Sequence, residues 1–127
     1  DLYVVIRVRP HDLFVRRGDD LYCELPLTFP QLALGDEVEA PIFGGKTQLK
    51  IQPGTQPGQV LRLKGKGMPS LHGRGRGDIC YQVVLEVPSK LNAKQRQLLE
   101  EFQRASADES GPLLASFLKR MKKLLGS

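Results

Sequence analysis

The residues that could carry acid–base, nucleophilic or metal chemistry are few and widely spaced. The only histidines are His11 and His72, and no serine or cysteine lies in a nucleophile motif or beside an obvious base. Cys23 and Cys80 each stand alone in an apolar run, without partners at metal-ligand spacing. We therefore expect no catalytic residue, no metal site and no cofactor in this segment, and we interpret the chain as non-enzymatic.

The cysteines and the apolar runs also bear on the compartment. The spacing of the two cysteines leaves a disulfide open, whereas two buried free thiols in a reducing compartment are the simpler interpretation. No stretch has the roughly 18 uninterrupted apolar residues of a membrane span, and the first ten residues lack the pattern of a secretory signal. We expect a cytoplasmic protein with no membrane partner.

A glycine-rich, basic segment could suggest phosphate or nucleic-acid binding. Residues 65–77 do not match a Walker loop, and Ser70 stands where a dinucleotide motif needs its third glycine. The single Arg-Gly-Arg-Gly run lacks interleaved aromatic residues, which makes nucleic acid the less favoured partner. The alternative hypothesis is a basic β-barrel that binds RNA or ribosomes through Lys64, Lys66, Arg74 and Arg76.

Composition favours short strands joined by turns. Of 127 residues, 13 are Gly and 9 are Pro, while 40% are hydrophobic, which suits one compact domain. The net charge of +5 is ordinary for a soluble domain. Because the first residue is Asp1 and a strand pattern begins at once, we expect the sequence to be a piece cut from a longer chain.

Alternation of apolar and polar residues predicts the strands. The first, at residues 2–9, places Leu2, Val4 and Ile6 on one apolar face, which is either core or a groove for an extended peptide. Further strands are predicted at 21–28, 37–42, 46–52, 60–64 and 78–87, with a turn at 15–20 and an exposed loop at 65–77. A helical turn is predicted at 29–35.

After Pro88 the period changes to that of a helix. Asn92 and Gln95 form a capping-box pattern for a helix over residues 93–104, whose apolar stripe includes Leu98, Leu99 and Phe102. Residues 105–112 form a predicted linker. Residues 113–125 are predicted to form a second amphipathic helix with a basic face.

Several segments closely resemble the C-terminal substrate-binding region of DnaJ-type co-chaperones, and the likeness covers residues 1 to about 104. The residues that carry it are the runs at 1–11, Phe14 with 16–24, Leu34-Gly35, Pro53-Gly54-Thr55-Gln56, Gly65-Lys66-Gly67-Met68-Pro69 and Gly77-Asp78. The run Phe117 to Leu125 is similar to the end of bacterial DnaJ proteins.

This resemblance implies an all-β fold: a DnaJ C-terminal-type β-sandwich with a short inserted helix, followed by C-terminal helices. Residues 1–10 would be the last strand of a preceding β-domain and a hinge, and residues 11–90 the second β-sandwich domain. Residues 91–104 would be the dimerisation helix, 105–112 a linker and 113–127 an amphipathic basic tail. Peptide substrate would be bound by Leu2, Val4 and Ile6, and Leu98, Leu99 and Phe102 would join two copies.

The resemblance also implies partners and missing parts. Expected partners are unfolded or partly folded proteins, a DnaK-type chaperone and a second copy of the chain, in protein folding and the stress response. The His-Pro-Asp of the J-domain is absent, since Pro10-His11-Asp12 has another order. The Cys-x-x-Cys-x-Gly-x-Gly repeats are absent too, so any zinc would be bound upstream in the parent protein.

Overall fold

A computed structural model describes residues 13–70, 75–109 and 111–126. The predicted first strand, with Leu2, Val4 and Ile6, lies outside the described residues, as do His11, His72 and Arg74. The chain divides into two compact units, Asp1–Val87 and Pro88–Ser127. Each unit is described by itself.

The first unit contains two sheets and one short helix. Its elements are β1 (Phe14–Arg17), β2 (Asp20–Leu27), α1 (Phe29–Leu34), β3 (Asp36–Ile42), β4 (Gly45–Ile51), β5 (Val60–Leu63) and β6 (Ile79–Leu85). The order β1-β2-β6-β5 forms a four-stranded sheet, and β3 and β4 form a two-stranded sheet. The β-rich fold expected from the sequence is confirmed. The label all-β does not describe the whole chain, because the inserted helix and the two C-terminal helices, which the sequence also predicts, make the fold mixed.

The centre of the larger sheet is a parallel pair of strands. β2 and β6 run in the same direction, from Leu21 opposite Ile79 to Leu27 opposite Leu85, whereas the other strand pairs are antiparallel. Two parallel neighbours cannot be joined by a tight hairpin, so the intervening chain must cross back to the start of the sheet. That crossover contains α1, the β3–β4 hairpin and β5.

Both sheets and α1 contribute to one hydrophobic core. The alternation predicted for β2 is confirmed, since its buried residues occupy every second position. Tyr81 is fully buried, and its hydroxyl donates a hydrogen bond of 2.7 Å to the carbonyl oxygen of Pro41, which links the two sheets. The core cluster contains Phe14, Leu21, Cys23, Leu25, Leu27, Leu32, Ala40, Ile51, Ile79, Tyr81 and Val83.

Local signals fix the ends of the inserted helix. The Thr28 hydroxyl accepts a hydrogen bond from the Gln31 amide, and the Gln31 side chain accepts one from the Thr28 amide. Gly35 ends the helix at φ +82°, where a Cβ would lie 2.9 Å from the carbonyl oxygen of Ile51. The helical turn predicted at residues 29–35 is confirmed.

Two predicted irregular segments are more ordered than the sequence indicates. Residues 14–17, which overlap the predicted turn, form β1, because their backbone pairs with β2 and Phe14 enters the core. In the predicted exposed loop, Gly67 is buried and its amide donates to the Gly77 carbonyl at 2.8 Å. The Met68 amide donates to the Asp19 carbonyl at 2.9 Å, so this part of the loop is anchored to the β1–β2 turn.

The second unit consists of two amphipathic helices, α2 (Ala93–Ala105) and α3 (Pro112–Leu124). Asn92 and Gln95 form the capping box that the sequence predicts for α2. All residues of both helices are exposed. No helix within the described residues is long and apolar enough to cross a membrane.

Gly67→Ala is expected to lower the free energy of unfolding by about 1–3 kcal/mol. The new methyl group would lie 2.6 Å from the Asp78 carbonyl oxygen and 2.8 Å from that of Asp19, so backbone would have to move. Urea unfolding followed by circular dichroism measures the change. In the control Gly45→Ala, the nearest atom is the Ile42 side chain at 4.0 Å. An equal loss in both variants would contradict the close packing at Gly67.

Tyr81→Phe is expected to cost about 1 kcal/mol near neutral pH, because it removes the hydrogen bond between the sheets. Burial raises the pKa of Tyr81 to about 12, above the value of about 10 for an unfolded chain. The wild-type fold therefore retains this contribution below about pH 10 and loses it as the pH rises toward 12. Urea unfolding across this range should show a weaker alkaline loss in Tyr81→Phe, but an unaltered loss in Tyr22→Phe.

Candidate functional site

The outer face of the four-stranded sheet carries an open cavity of about 720 Å³. Strand register produces it: Val15 lies opposite Tyr22, and Tyr22 lies opposite Cys80, so side chains from three strands form one row across the sheet. A second row runs from Glu24 through Gln82 to Val60. The lining residues are Leu13, Val15, Arg17, Tyr22, Cys23, Glu24, Pro26, Val60, Cys80 and Gln82.

The cavity exposes aliphatic side chains next to strand edges. Val15 is 58% exposed on β1, and Val60 is 52% exposed on β5. These strands are the two outer members of the four-stranded sheet. An outer strand presents unpaired backbone amides and carbonyls, which can pair with another extended segment. The cavity thus combines apolar surface with backbone hydrogen-bonding capacity.

The charges around the cavity are sparse and of both signs. The Arg17 guanidinium lies over the Tyr22 ring, 5.1 Å from its centroid, in a cation–π contact. Glu24 supplies an exposed carboxylate on the neighbouring part of the lining. Because the lining carries one cation and one anion, this surface has no strong preference for a charged ligand and would select mainly by apolar contact.

The cysteines are both buried and free, on opposite faces of the sheet. Cys23 lies opposite Tyr81 and belongs to the core cluster, although it also borders the cavity, whereas Cys80 lies opposite Tyr22 on the cavity side. Side chains that point to opposite faces cannot form a disulfide without backbone movement, so the disulfide left open by the sequence is excluded. Burial, with a smaller effect of the Glu24 carboxylate, raises the pKa of the Cys23 thiol, which keeps it protonated and unreactive.

A network of charged residues supports the rim of the sheet. The Asp78 carboxylate accepts hydrogen bonds from Arg62 at 2.7 Å and from the Gly65 amide at 3.0 Å. The Gly65 amide and the Arg62 guanidinium lower the pKa of Asp78. The Asp78 amide donates to the Asp20 carboxylate at 2.7 Å. These groups stabilise each other and hold the start of β6 against β2 and β5.

Metal-binding groups are not found in the part of the chain that the structure describes. Among residues 13–70, 75–109 and 111–126, no group of three or more His, Cys, Asp or Glu side chains is placed to hold a metal ion.

The residues of the predicted dimerisation stripe share one face of α2. Leu98, Leu99 and Phe102 are each about half-exposed. A shallow cavity of about 510 Å³ lies beside Leu99 and Phe102 and extends to the polar side of the helix. Its lining residues are Leu91, Arg96, Leu99, Glu100, Phe102, Gln103 and Ser106.

The basic residues of the RNA-binding hypothesis have different environments. Lys64 and Lys66 are exposed, and Arg74 lies outside the described residues. The Arg76 guanidinium Nε donates to the Gly67 carbonyl at 3.0 Å, so this side chain helps to hold the glycine-rich segment. Nucleic-acid binding stays a hypothesis.

Sequence reasoning misses the cavity residues of β1 and β5. The turn prediction covers Val15 because this residue precedes two arginines and a glycine. Val60 is predicted in a strand, but nothing in its own segment shows which strands flank it. One signal in the sequence could have identified Val60 as a surface residue. Val60 and Arg62 alternate with Leu61 and Leu63, so the first two lie on the outward face of the strand.

Two family models match the chain. Residues 1–88 match the family model described as DnaJ C terminal domain, and residues 94–127 match the model described as Chaperone protein DnaJ C-terminal region.

Three relatives named Chaperone protein DnaJ illustrate the similarity. The chain is 49% identical over 126 residues to the protein of Halothermothrix orenii, covering 99% of the chain and 34% of the relative. It is 50% identical over 123 residues to that of Halalkalibacterium halodurans, covering 97% and 33%. It is 52% identical over 122 residues to that of Ruminiclostridium cellulolyticum, covering 96% and 32%. The chain therefore spans about a third of the length of these curated relatives, and it belongs to the DnaJ C-terminal domain family.

Proposed function

We propose that this chain is a non-enzymatic co-chaperone module that binds unfolded or partly folded polypeptide and dimerises, so that clients are presented to a DnaK-type chaperone. Membership in the DnaJ C-terminal family supports the co-chaperone role. The observation that carries client binding is the apolar cavity beside the outer strands of the four-stranded sheet.

The cavity suits an extended, apolar segment. An unfolded chain offers unpaired backbone groups and alternating side chains, which an outer strand and a neighbouring apolar cavity can take up together. In the described part of the chain, β5 pairs with β6 alone, and its Val60 side chain faces the cavity. A peptide strand added along β5 would place every second side chain over this surface.

The expected affinity is modest. Covering Leu13, Val15 and Val60, each about half-exposed, contributes about 1 kcal/mol per side chain. Part of this gain is offset by the ordering of the peptide. Weak binding allows a client to leave, which a module that presents clients to another chaperone requires.

A second peptide-binding surface is implied by the family resemblance. Leu2, Val4 and Ile6 lie on one face of the predicted first strand, where the family has its groove. They lie outside the described residues, so their role rests on the sequence alone. In this proposal, residues 1–10 end a preceding β-domain and residues 11–90 form the second DnaJ C-terminal-type β-sandwich.

Dimerisation is proposed to use the stripe on α2. Three large apolar side chains, Leu98, Leu99 and Phe102, are half-exposed on one side of a well-capped helix. Packing against the same stripe of a second copy would bury them and bring two cavities into one assembly. Two linked weak sites hold a long unfolded chain more tightly than either alone. Residues 105–112 then act as a linker to the tail, 113–127.

Client binding predicts that Val15→Asp combined with Val60→Asp weakens the binding of a short apolar peptide about tenfold, or about 1.4 kcal/mol. The new carboxylates would have to lose water against an apolar ligand. Fluorescence anisotropy of a labelled peptide with the 127-residue chain measures the dissociation constant.

The matched control is Val87→Asp, at an exposed valine that does not line the cavity. Its affinity should equal that of the unmodified chain. An unchanged affinity in the double variant would contradict binding at this cavity; Val4→Asp in the full-length parent would then test the other surface. Salt separates this proposal from the nucleic-acid alternative, because affinity for a nucleic acid should fall steeply between about 50 and 200 mM salt, whereas affinity for the apolar peptide should not.

Dimerisation predicts that Leu99→Asp combined with Phe102→Asp yields monomers in sedimentation equilibrium. Two carboxylates from each copy would meet across a surface that is apolar in the unmodified dimer. The urea midpoint of the β-rich unit should stay unchanged, which separates loss of association from loss of folding. The control pair Gln97→Asp with Arg104→Asp lies on the side of α2 opposite the stripe and should remain dimeric. A dimer mass in the stripe variant would rule out this interface.

A further inference from the structure

The last helix, α3, has one broad apolar face and one purely basic face. Its apolar residues are three adjacent pairs and a single methionine, spaced about one turn apart, which widens the apolar face well beyond a narrow coiled-coil stripe. They are Leu113, Leu114, Phe117, Leu118, Met121, Leu124 and Leu125, the last being the C-cap. All seven are more than 40% exposed, and Leu113 and Leu124 reach 85% and 84%.

The opposite face carries only positive charge. Lys119, Arg120, Lys122 and Lys123 are all exposed, and the sequence from Pro112 to Leu125 contains no acidic residue. Lys122 and Lys123 lie in the last turn, where they also complement the helix dipole. In α2, by contrast, Glu100 and Glu101 accompany the basic residues. Strong positive charge on an amphipathic helix is therefore a property of α3 and not of the unit as a whole.

We propose that α3 lies in the surface of an anionic phospholipid membrane, with its apolar face among the acyl chains and its basic face among the headgroups. A helix with Leu and Phe on one side, Lys and Arg on the other and no membrane-spanning length has the properties of interfacial helices. This proposal revises the expectation that the chain has no membrane partner. It is independent of the client-binding proposal.

The charge of α3 and the width of its apolar face favour an anionic membrane over a nucleic acid or a second copy of the helix. A nucleic acid would neutralise the four cations but leave seven apolar side chains in water. A second copy of α3 would cover the apolar side chains but set four cations against four more, which is unfavourable at short distance. An anionic membrane satisfies both faces at once.

The helix ends indicate that binding and helix formation are coupled. Gly111 supplies no side-chain cap for α3, whereas α2 has a complete capping box. A helix of 13 residues is marginal in water on its own. Burial of one face in the membrane would stabilise it, so its helix content should rise on vesicles.

The test uses the absence of tryptophan from the sequence. Phe117→Trp and Ser116→Trp each introduce a single reporter, the first on the apolar face of α3 and the second outside it. Each 127-residue variant is titrated with phosphatidylcholine vesicles containing about 30 mol% phosphatidylglycerol, and with pure phosphatidylcholine vesicles. We expect the emission of the Phe117→Trp variant to shift to the blue on the anionic vesicles alone, while the emission of the Ser116→Trp variant stays at the wavelength of water.

A variant with fewer positive charges tests whether the basic face contributes to membrane binding. Lys119→Gln with Lys122→Gln, in the Phe117→Trp background, removes two cations while keeping good helix formers. At about fivefold per charge, the loss of two charges should lower the vesicle partition coefficient roughly 25-fold.

Three results would overturn the proposal. They are no shift on anionic vesicles, equal shifts at both reporter positions, and a Phe117→Trp emission already blue-shifted in buffer and unaffected by vesicles, which would mean that protein covers this face.

Discussion

The parallel pairing of β2 with β6 is the constraint on which the rest of the first unit depends. The strands begin at Asp20 and Ile79, and the Asp78 amide bonds the Asp20 carboxylate across 58 positions of sequence. The chain between these strands must leave the sheet at the end of β2 and return to the opposite end, where β6 begins. The helix α1, the β3–β4 hairpin and β5 are the path of that return, and Tyr81 joins the hairpin to the central strand.

The same pairing creates the candidate site. Paired residues on neighbouring strands point to the same side of the sheet, and successive residues along a strand point to opposite sides. Once every second residue of β2 and β6 is in the core, the residues between them are a second set that must therefore lie on the outer face. Tyr22 and Cys80 belong to that set, and β1 and β5 extend it to Val15 and Val60. The cavity is thus the reverse side of the core, and its position follows from the packing that stabilises the fold.

Signals carried by adjacent residues are sufficient to predict β2, β3, β4, the capping box of α2 and the two helical faces. Such local signals do not predict the features that depend on residues far apart in the sequence. The sequence predicts Val15 in a turn, but in the structure it pairs with β2. The sequence also predicts that Gly67 is exposed, but the backbone of Asp19 and Asp78 packs against it. The parallel register and the cavity depend on which strands become neighbours, and alternation within one strand contains no such information.

The separation between β2 and β6 also has a kinetic consequence. The β3–β4 hairpin closes through Phe43 and Gly44 and can form as soon as its residues exist, whereas β2 cannot complete its sheet before β6 is present. At roughly 5–20 residues per second, a ribosome needs about 3–12 s to synthesise the 58 positions that separate them. During that time the edge of β2 that later pairs with β6 is unpaired, and an unpaired strand edge is the kind of surface that the folded module is proposed to bind.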